Sequence, residues 1–166
     1  MRKTVLRLVT GVLLIGWMTV IFLFSHQPAV TSSEISGGVS LGLVGRLDAL
    51  FDLELPEETL EKLAQMIDYP VRKAAHMTEY AVLGLLAFVF FKAMAPGRGW
   101  HYRTAWLFAL CYAATDEFHQ LFVAGRSGRI SDVCIDSVGA AIGLLVLFLL
   151  QKIWRKHCEK KAYPIE

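Results

Sequence analysis

Apolar residues along the chain fall into four blocks of about 20 residues, at about positions 5–24, 74–95, 104–122 and 133–151. A helix of roughly 20 residues crosses the roughly 30 Å of hydrocarbon in a bilayer. The first block follows basic residues, as in a signal peptide, but it is longer than a signal-peptide core and no small-x-small cleavage site follows it. The pattern predicts an all-α, polytopic membrane protein, with one domain over residues 1–166 in which four transmembrane helices form a bundle.

The distribution of Lys and Arg between the blocks predicts the orientation of this bundle. If both termini are cytoplasmic, most of the 17 basic residues lie on the cytoplasmic side. That side then holds Arg2, Lys3, Arg7, Lys92, Arg98, Arg103, Lys152, Arg155, Lys156, Lys160 and Lys161. Cytoplasmic loops of membrane proteins are enriched in Lys and Arg. We therefore expect both termini in the cytoplasm, a basic cytoplasmic tail over residues 152–166 and an outer loop over residues 25–73.

The outer loop is acidic and carries two stretches with apolar residues at helical spacing. The first stretch has Val39, Leu43, Val44, Leu47, Leu50 and Phe51, and the second has Leu60, Leu63, Ala64 and Ile67. The second stretch follows Pro56, Glu57 and Glu58, a combination that favours a helix start. We predict two short amphipathic helices that lie on the outer interface or cap the bundle. The alternative is a solvated loop with local helical structure.

Composition excludes several classes of protein. Hydrophobic residues make up 55% of the chain and charged residues 19%, whereas an ordinary soluble domain has about 45–50% and about 25%. The net charge of +2 gives no electrostatic support for nucleic-acid binding. Cys111, Cys134 and Cys158 are odd in number and widely separated, which argues against a structural disulfide.

Ionisable and polar residues gather at the predicted outer ends of the spans. They are Gln27 after the first span; Arg72, Lys73, His76, Glu79 and Tyr80 at the second; Asp116, Glu117, His119 and Gln120 at the third; and Arg126, Arg129, Asp132 and Asp136 before and within the fourth. Helical spacing places most of them on one face of each helix, with Glu117 about 100° from its neighbours. Asp136 continues into Gly139 and Gly143, a GxxxG pattern that favours close helix packing.

This inventory fits either a buried ion-pair network that fixes the bundle or a functional pocket, because charged groups at membrane depth face inward and find partners. Three chemistries could use a pocket. The pairs His76/Glu79 and Asp116/His119 could hold a metal ion, although flanking cations oppose it. Basic residues around Arg126 could hold a phosphate or carboxylate. A His–carboxylate pair could exchange protons. No motif indicates a cofactor, and familiar nucleotide-binding and nucleophilic motifs are absent from the sequence.

At these residues the sequence resembles the VanZ-like family of bacterial membrane proteins. The matching segments are Phe24–Gln27, Arg72–Tyr80 with Gly84 beyond it, Asp116–Phe122, Gly125-Arg126 and Asp132–Gly139. The sequence departs from the family at Asp136, where we expect asparagine, and at His26, where the family often has serine. The resemblance implies a role in the cell envelope, since the founding member is associated with low-level resistance to the glycopeptide teicoplanin.

Two functions follow from the residues and the resemblance. The first is a non-catalytic envelope protein whose outer pocket binds a membrane lipid, a lipid-linked precursor or a glycopeptide. Its ligand-binding residues would be Gln27, Arg72, Lys73, Tyr80, Glu117, Gln120, Arg126, Asp132 and Asp136. The second is a membrane enzyme acting on a polyprenyl-phosphate-type lipid, with His76, Glu79, Asp116 and His119 as catalytic residues. A transporter is disfavoured because the inner half of the spans lacks polar groups.

Overall fold

The structure is a computed structural model that describes residues 2–97 and 99–162, and the side chains of residues 2–97 and 99–158. Within these residues the chain forms five helices and no strand: α1 (Arg2–Ser25), α2 (Ala29–Phe51), α3 (Glu57–Met94), α4 (His101–Gln120) and α5 (Ile130–Ala162). Met1 of the predicted domain, Arg98 of the predicted cytoplasmic set and residues 163–166 of the predicted tail lie outside the described residues. The predicted all-α class is confirmed.

Three helices of the described chain, α1, α3 and α5, are long and apolar enough to cross a membrane. The predicted third span corresponds to α4, which has 20 residues and is therefore about 30 Å long. It carries Arg103 near its beginning and Asp116 and Glu117 near its end. These charges, rather than its length, separate α4 from the other three helices.

The segment predicted as an outer loop differs from the expectation of two short helices. It holds the 23-residue α2 and the first part of α3, which continues through Pro70 into the predicted second span. Proline cannot donate an amide hydrogen bond inside a helix, yet α3 continues through this position. The 38 residues of α3 extend for about 57 Å, well beyond the hydrocarbon thickness.

The helix α2 packs on α3 through small residues. Ser36, Ser40 and Val44 are its buried side chains, whereas Val39 and Leu47 are about half exposed. Small polar residues at a helix contact and apolar residues on the outer face are typical of helices that pack in or beside lipid. Most of the apolar face that the spacing identified in α2 therefore points away from the bundle.

The other helices surround α3, which contacts all of them. Gly139 and Gly143 of α5 lie directly against the backbone of Met77 and Ala81 in α3. A Cβ atom on Gly143 would lie 2.7 Å from the Ala81 carbonyl oxygen, which is closer than van der Waals contact. The packing role predicted for the GxxxG pattern is confirmed.

The directions of the helices follow from a few contacts. Trp17 of α1 donates a hydrogen bond to the Glu79 carbonyl, at 2.9 Å, while Gly11 lies near Phe90, so α1 runs antiparallel to α3. Tyr102 and Tyr112 of α4 lie beside Phe88 and Tyr80 of α3, respectively. This order makes α4 antiparallel to α3 as well. Among the described helices, α1 and α4 therefore run in one direction, and α3 and α5, which pack in parallel, run in the opposite direction.

Candidate functional site

A polar cavity of about 280 Å³ opens at the end of the bundle where α1 and α4 finish and α5 begins. Its lining comes from the start of α2, from α3, α4 and α5, and from the connection between α4 and α5: Ala29, Tyr69, Arg72, Lys73, His76, Glu117, Gln120, Gly125, Arg126, Ser127, Arg129, Asp132 and Asp136. Eight of the thirteen residues of the two predicted site sets are in this lining, so the fold brings them together from distant parts of the sequence. Ala29 and Tyr69 are lining residues that the sequence analysis did not identify.

Two of the cations in the cavity already have carboxylate partners. Lys73 Nζ lies 2.7 Å from Asp132 Oδ2, which joins α3 to α5. Arg72 Nη2 lies 2.7 Å from Asp68 Oδ2 and also donates to the hydroxyl groups of Ser33 and Ser36. No sequence spacing pointed to these two serines, because they belong to α2 and precede Arg72 by 39 and 36 residues.

The other two cations have no ion pair among the described residues. Arg126 donates hydrogen bonds to the carbonyl oxygens of Gln27, at 3.1 Å, and Phe24, at 3.4 Å. Arg129 donates from Nε to Ser127 Oγ at 3.2 Å. Gln27 is a predicted ligand-binding residue. Its backbone carbonyl, rather than its side chain, accepts from Arg126 and helps to hold Arg126 in place.

Arg126 lies in the connection between α4 and α5, outside the predicted spans. Burial lowers its pKa, and so does the nearby charge of Arg72, while Asp116 and Glu117 raise it. A guanidinium with an ordinary pKa above 12 remains protonated at pH 7. Its partial burial means that an added anion next to it would meet less screening than on an exposed surface.

Three of the acidic residues are more buried than the cations. Asp116 and Glu117 of α4 are 3% and 6% exposed, and Asp136 of α5 is 2% exposed. Glu117 accepts a hydrogen bond from the backbone N–H of Arg129 at 2.9 Å, which holds the connection against α4. The sequence predicted that Glu117 points away from the other polar residues of α4. In the structure it points toward the connection between α4 and α5.

Among the described residues, the buried atoms Glu79 Oε2 and Tyr80 Oη of α3 have no hydrogen-bond partner. On α4, the buried Asp116 interacts with Ser25 of α1 and accepts a hydrogen bond from Gln120 Nε2 at 3.3 Å. Leaving buried polar groups unpaired costs stability. Glu79 and Tyr80 therefore have hydrogen-bonding capacity that the described residues do not use.

The histidines separate into two places. His76 Nδ1 lies 3.6 Å from Glu79 Oε2 on the same face of α3, as the spacing indicated. His119 instead contacts His26, with 3.1 Å between His26 Nδ1 and His119 Nε2, and both rings lie against Phe22. Within the described residues, no group of three or more His, Cys, Asp and Glu side chains is placed to hold a metal ion.

Comparison with known proteins identifies the family. The model of the family described as VanZ/LLP1 matches residues 10–151, which include every residue of the cavity. No curated protein and no solved structure matches the chain significantly. The resemblance seen in the sequence is confirmed: the chain belongs to the VanZ/LLP1 family.

Proposed function

We propose that this protein crosses the bacterial cytoplasmic membrane four times, with both termini in the cytoplasm, as a single domain. The direction of α4 supports a fourth span. It begins beside the end of α3 and finishes near the start of α5, and α3 and α5 are parallel. If α3 and α5 cross the membrane, α4 has to cross between them. Its acidic residues do not oppose this, because Asp116 and Glu117 are buried in the bundle rather than exposed to lipid.

The cavity in this orientation faces the outside of the cell and binds an anionic group, a phosphate or a carboxylate. The observation that carries the proposal is the pair of cavity-lining guanidinium groups, Arg126 and Arg129, that lack an ion pair among the described residues. Arginine presents a planar fork of donors that matches both anions. Lys73 and Arg72 are already paired with Asp132 and Asp68, so Arg126 and Arg129 are the cavity cations that a ligand could engage.

Binding of an anionic probe to variants tests this function. The full-length protein in a nonionic detergent is titrated with dodecyl phosphate and the complex is followed by native mass spectrometry. Removing one charged partner from a hydrogen-bonded ion pair costs about 1.5–3 kcal/mol, so Arg126→Gln should weaken binding at least about tenfold. Arg46→Gln, at an exposed arginine of α2, is the matched control. Equal binding by the Arg126→Gln and Arg46→Gln proteins would contradict the proposal.

Binding of this kind would connect the protein to the envelope role of its family. An anionic lipid-linked precursor held at the outer surface would alter access of a glycopeptide such as teicoplanin to its target. The test is the teicoplanin susceptibility of a deletion strain that carries wild-type protein, Arg126→Gln or Arg46→Gln. We expect the Arg126→Gln strain to match the deletion strain, and a strain that matches wild type would separate binding from resistance.

A second candidate function is an enzyme that acts on a polyprenyl-phosphate-type lipid. The observation that favours it is the separation of 3.6 Å between His76 and Glu79, with His76 in the cavity lining beside Arg126. Such a pair can exchange protons with a ligand whose phosphate lies at Arg126. His76→Ala and Glu79→Gln should then abolish turnover of the lipid while dodecyl phosphate still binds. Loss of binding in both variants would favour the purely binding function.

A further inference from the structure

A second, largely apolar groove of about 240 Å³ lies next to the polar cavity, between α2, α3 and the end of α1. Its apolar walls include Phe24, Ile35, Val39 and Val71. Ile35 and Val39 lie on the outward face of α2 and are about half exposed. The groove is therefore continuous with the apolar surface that α2 presents to its surroundings.

The cavity and the groove share three of their lining residues, Arg72, His76 and Arg126. An anion beside Arg126 therefore lies where the polar cavity meets the apolar groove. A ligand that is charged at one end and apolar at the other matches both halves, since its chain would leave water where its headgroup meets the guanidinium. A free phosphate would use only the cavity.

From this arrangement we infer that the ligand is a single-chain anionic lipid, with its headgroup at Arg126 and the first part of its hydrocarbon chain in the groove between α2 and α3. The inference rests on the proposed anion-binding function of the cavity and adds the class of ligand. The small side chains of Ser36 and Ser40 are buried in the α2–α3 contact, and Ser36 also lines the groove. The groove opens beside Ile35 and Val39 of α2, which are about half exposed, so the rest of the chain continues along this apolar face.

The groove explains the exposed apolar residues of α2, which the packing of α2 on α3 does not explain. Val39 and Ile35 are exposed in a helix that buries only Ser36, Ser40 and Val44. Their apolar surface gains a contact when a chain lies in the groove. Each buried methylene group adds to affinity, so the protein should discriminate between anions by the length of the attached chain.

The experiment compares two phosphate monoesters, dodecyl phosphate and methyl phosphate, on the full chain in a nonionic detergent. We expect dodecyl phosphate to bind more tightly. Val39→Trp fills the groove and should weaken dodecyl phosphate binding about tenfold, which corresponds to roughly two buried methylene groups, and leave methyl phosphate binding unchanged. Leu47→Trp is the matched control, because Leu47 is 51% exposed on the same helix, as Val39 is, but lies outside the groove lining.

The outcomes separate the two proposals. If Arg126→Gln weakens both monoesters but Val39→Trp changes neither, the groove is wrong and the anion site stands. If Arg126→Gln changes neither monoester, the proposed function itself fails. Equal affinity for the two monoesters in the wild-type protein would also overturn the inference. Ile35→Trp, on the same wall, provides a second variant, and circular dichroism and the size-exclusion profile establish that each variant is folded.

Discussion

The two ends of the helix bundle differ in whether they bury carboxylate side chains. At the cavity end, Asp116, Glu117 and Asp136 are buried among the helices. At the opposite end, the buried polar side chains of the described residues are Thr10 and His101 and not carboxylates, and Arg7 donates to the carbonyl oxygen of Ala93 at 3.2 Å. Tyr102 there donates to Gln151 at 3.0 Å.

The helices between these ends pack through apolar and small residues. The buried cluster contains Leu83, Ala87 and Phe88 of α3, Ala105 and Ala109 of α4, and Ala140 and Leu144 of α5. The same helices pack at the opposite end without buried carboxylates among the described residues, so helix association does not require buried carboxylates. Burying several ionisable groups at the cavity end lowers the stability of the fold. A ligand-binding role would explain why these groups are present. The comparison predicts that fold and ligand binding can be changed separately.

The largest effect should come from Gly139→Leu, which attacks the packing between α3 and α5. A side chain at this position would overlap the backbone of Met77, and overpacking of a helix contact typically costs about 1–3 kcal/mol, occasionally more. We expect a large loss of folded protein, measured as the midpoint of thermal unfolding by fluorescence-detected size-exclusion chromatography.

Gly16→Leu is the matched control for this prediction, because no atom within 4 Å would meet a Cβ atom at Gly16 of α1. Its unfolding midpoint should stay near that of the wild-type protein. Equal midpoints for the two leucine variants would show that the α3–α5 contact does not depend on the glycine pattern.

A smaller effect is expected from the ion pair between Lys73 and Asp132, which connects α3 and α5 at the cavity. Its side chains are 17% and 18% exposed, whereas those of the pair between Lys62 and Glu58 are 69% and 80% exposed. Exposed pairs contribute about 0–1 kcal/mol because water and salt screen them, and burial reduces that screening. A double-mutant cycle with Lys73→Gln and Asp132→Asn should give a coupling energy of about 1–2 kcal/mol.

The same cycle at the exposed pair, with Lys62→Gln and Glu58→Gln, serves as the comparison and should give a coupling energy close to zero. Both cycles are measured from unfolding midpoints at low and at high salt. The larger coupling should also depend less on salt. Coupling at Lys73 and Asp132 as weak and as salt-dependent as at the exposed pair would mean that the cavity end is effectively solvated.

Sequence reasoning succeeded where one helix carries its own pattern. The spacing of Arg72, His76 and Glu79 placed them on one face of α3, and Gly139 and Gly143 marked the packing face of α5. These relations follow from the geometry of a single helix, so no tertiary information was needed.

It failed where the partner of a residue belongs to another helix. Ser33 and Ser36 of α2 hydrogen-bond to Arg72, and His119 turns to His26 rather than toward the cavity. Spacing along one helix carries no information on the neighbour that each residue meets. The continuity of α3 through Pro70 was missed for a related reason, because packing against α2 can outweigh the local preference of proline to end a helix.

The smallest effects on stability should come from two tyrosine hydrogen bonds, one at each end of the bundle. Tyr112 at the cavity side donates to the Met18 carbonyl of α1 at 2.6 Å, and Tyr102 at the opposite end donates to Gln151 at 3.0 Å. Replacing either tyrosine with phenylalanine removes one hydrogen bond between helices, which contributes about 0.6 kcal/mol within a membrane protein. We therefore expect similar, small decreases in the unfolding midpoint for Tyr112→Phe and Tyr102→Phe.

Their effects on binding should differ, because α1 also supplies the Phe24 carbonyl that accepts from Arg126, and Gln27, whose carbonyl also accepts from Arg126, lies two residues beyond the end of α1. Loosening α1 at Tyr112 should displace these acceptors and weaken dodecyl phosphate binding by a few-fold, whereas Tyr102→Phe should leave binding unchanged. Titrations of both variants, analysed beside their unfolding midpoints, give the comparison. If the two substitutions reduced binding equally, the cavity would respond to the stability of the whole bundle, and the separation between a packed end and a binding end would not hold.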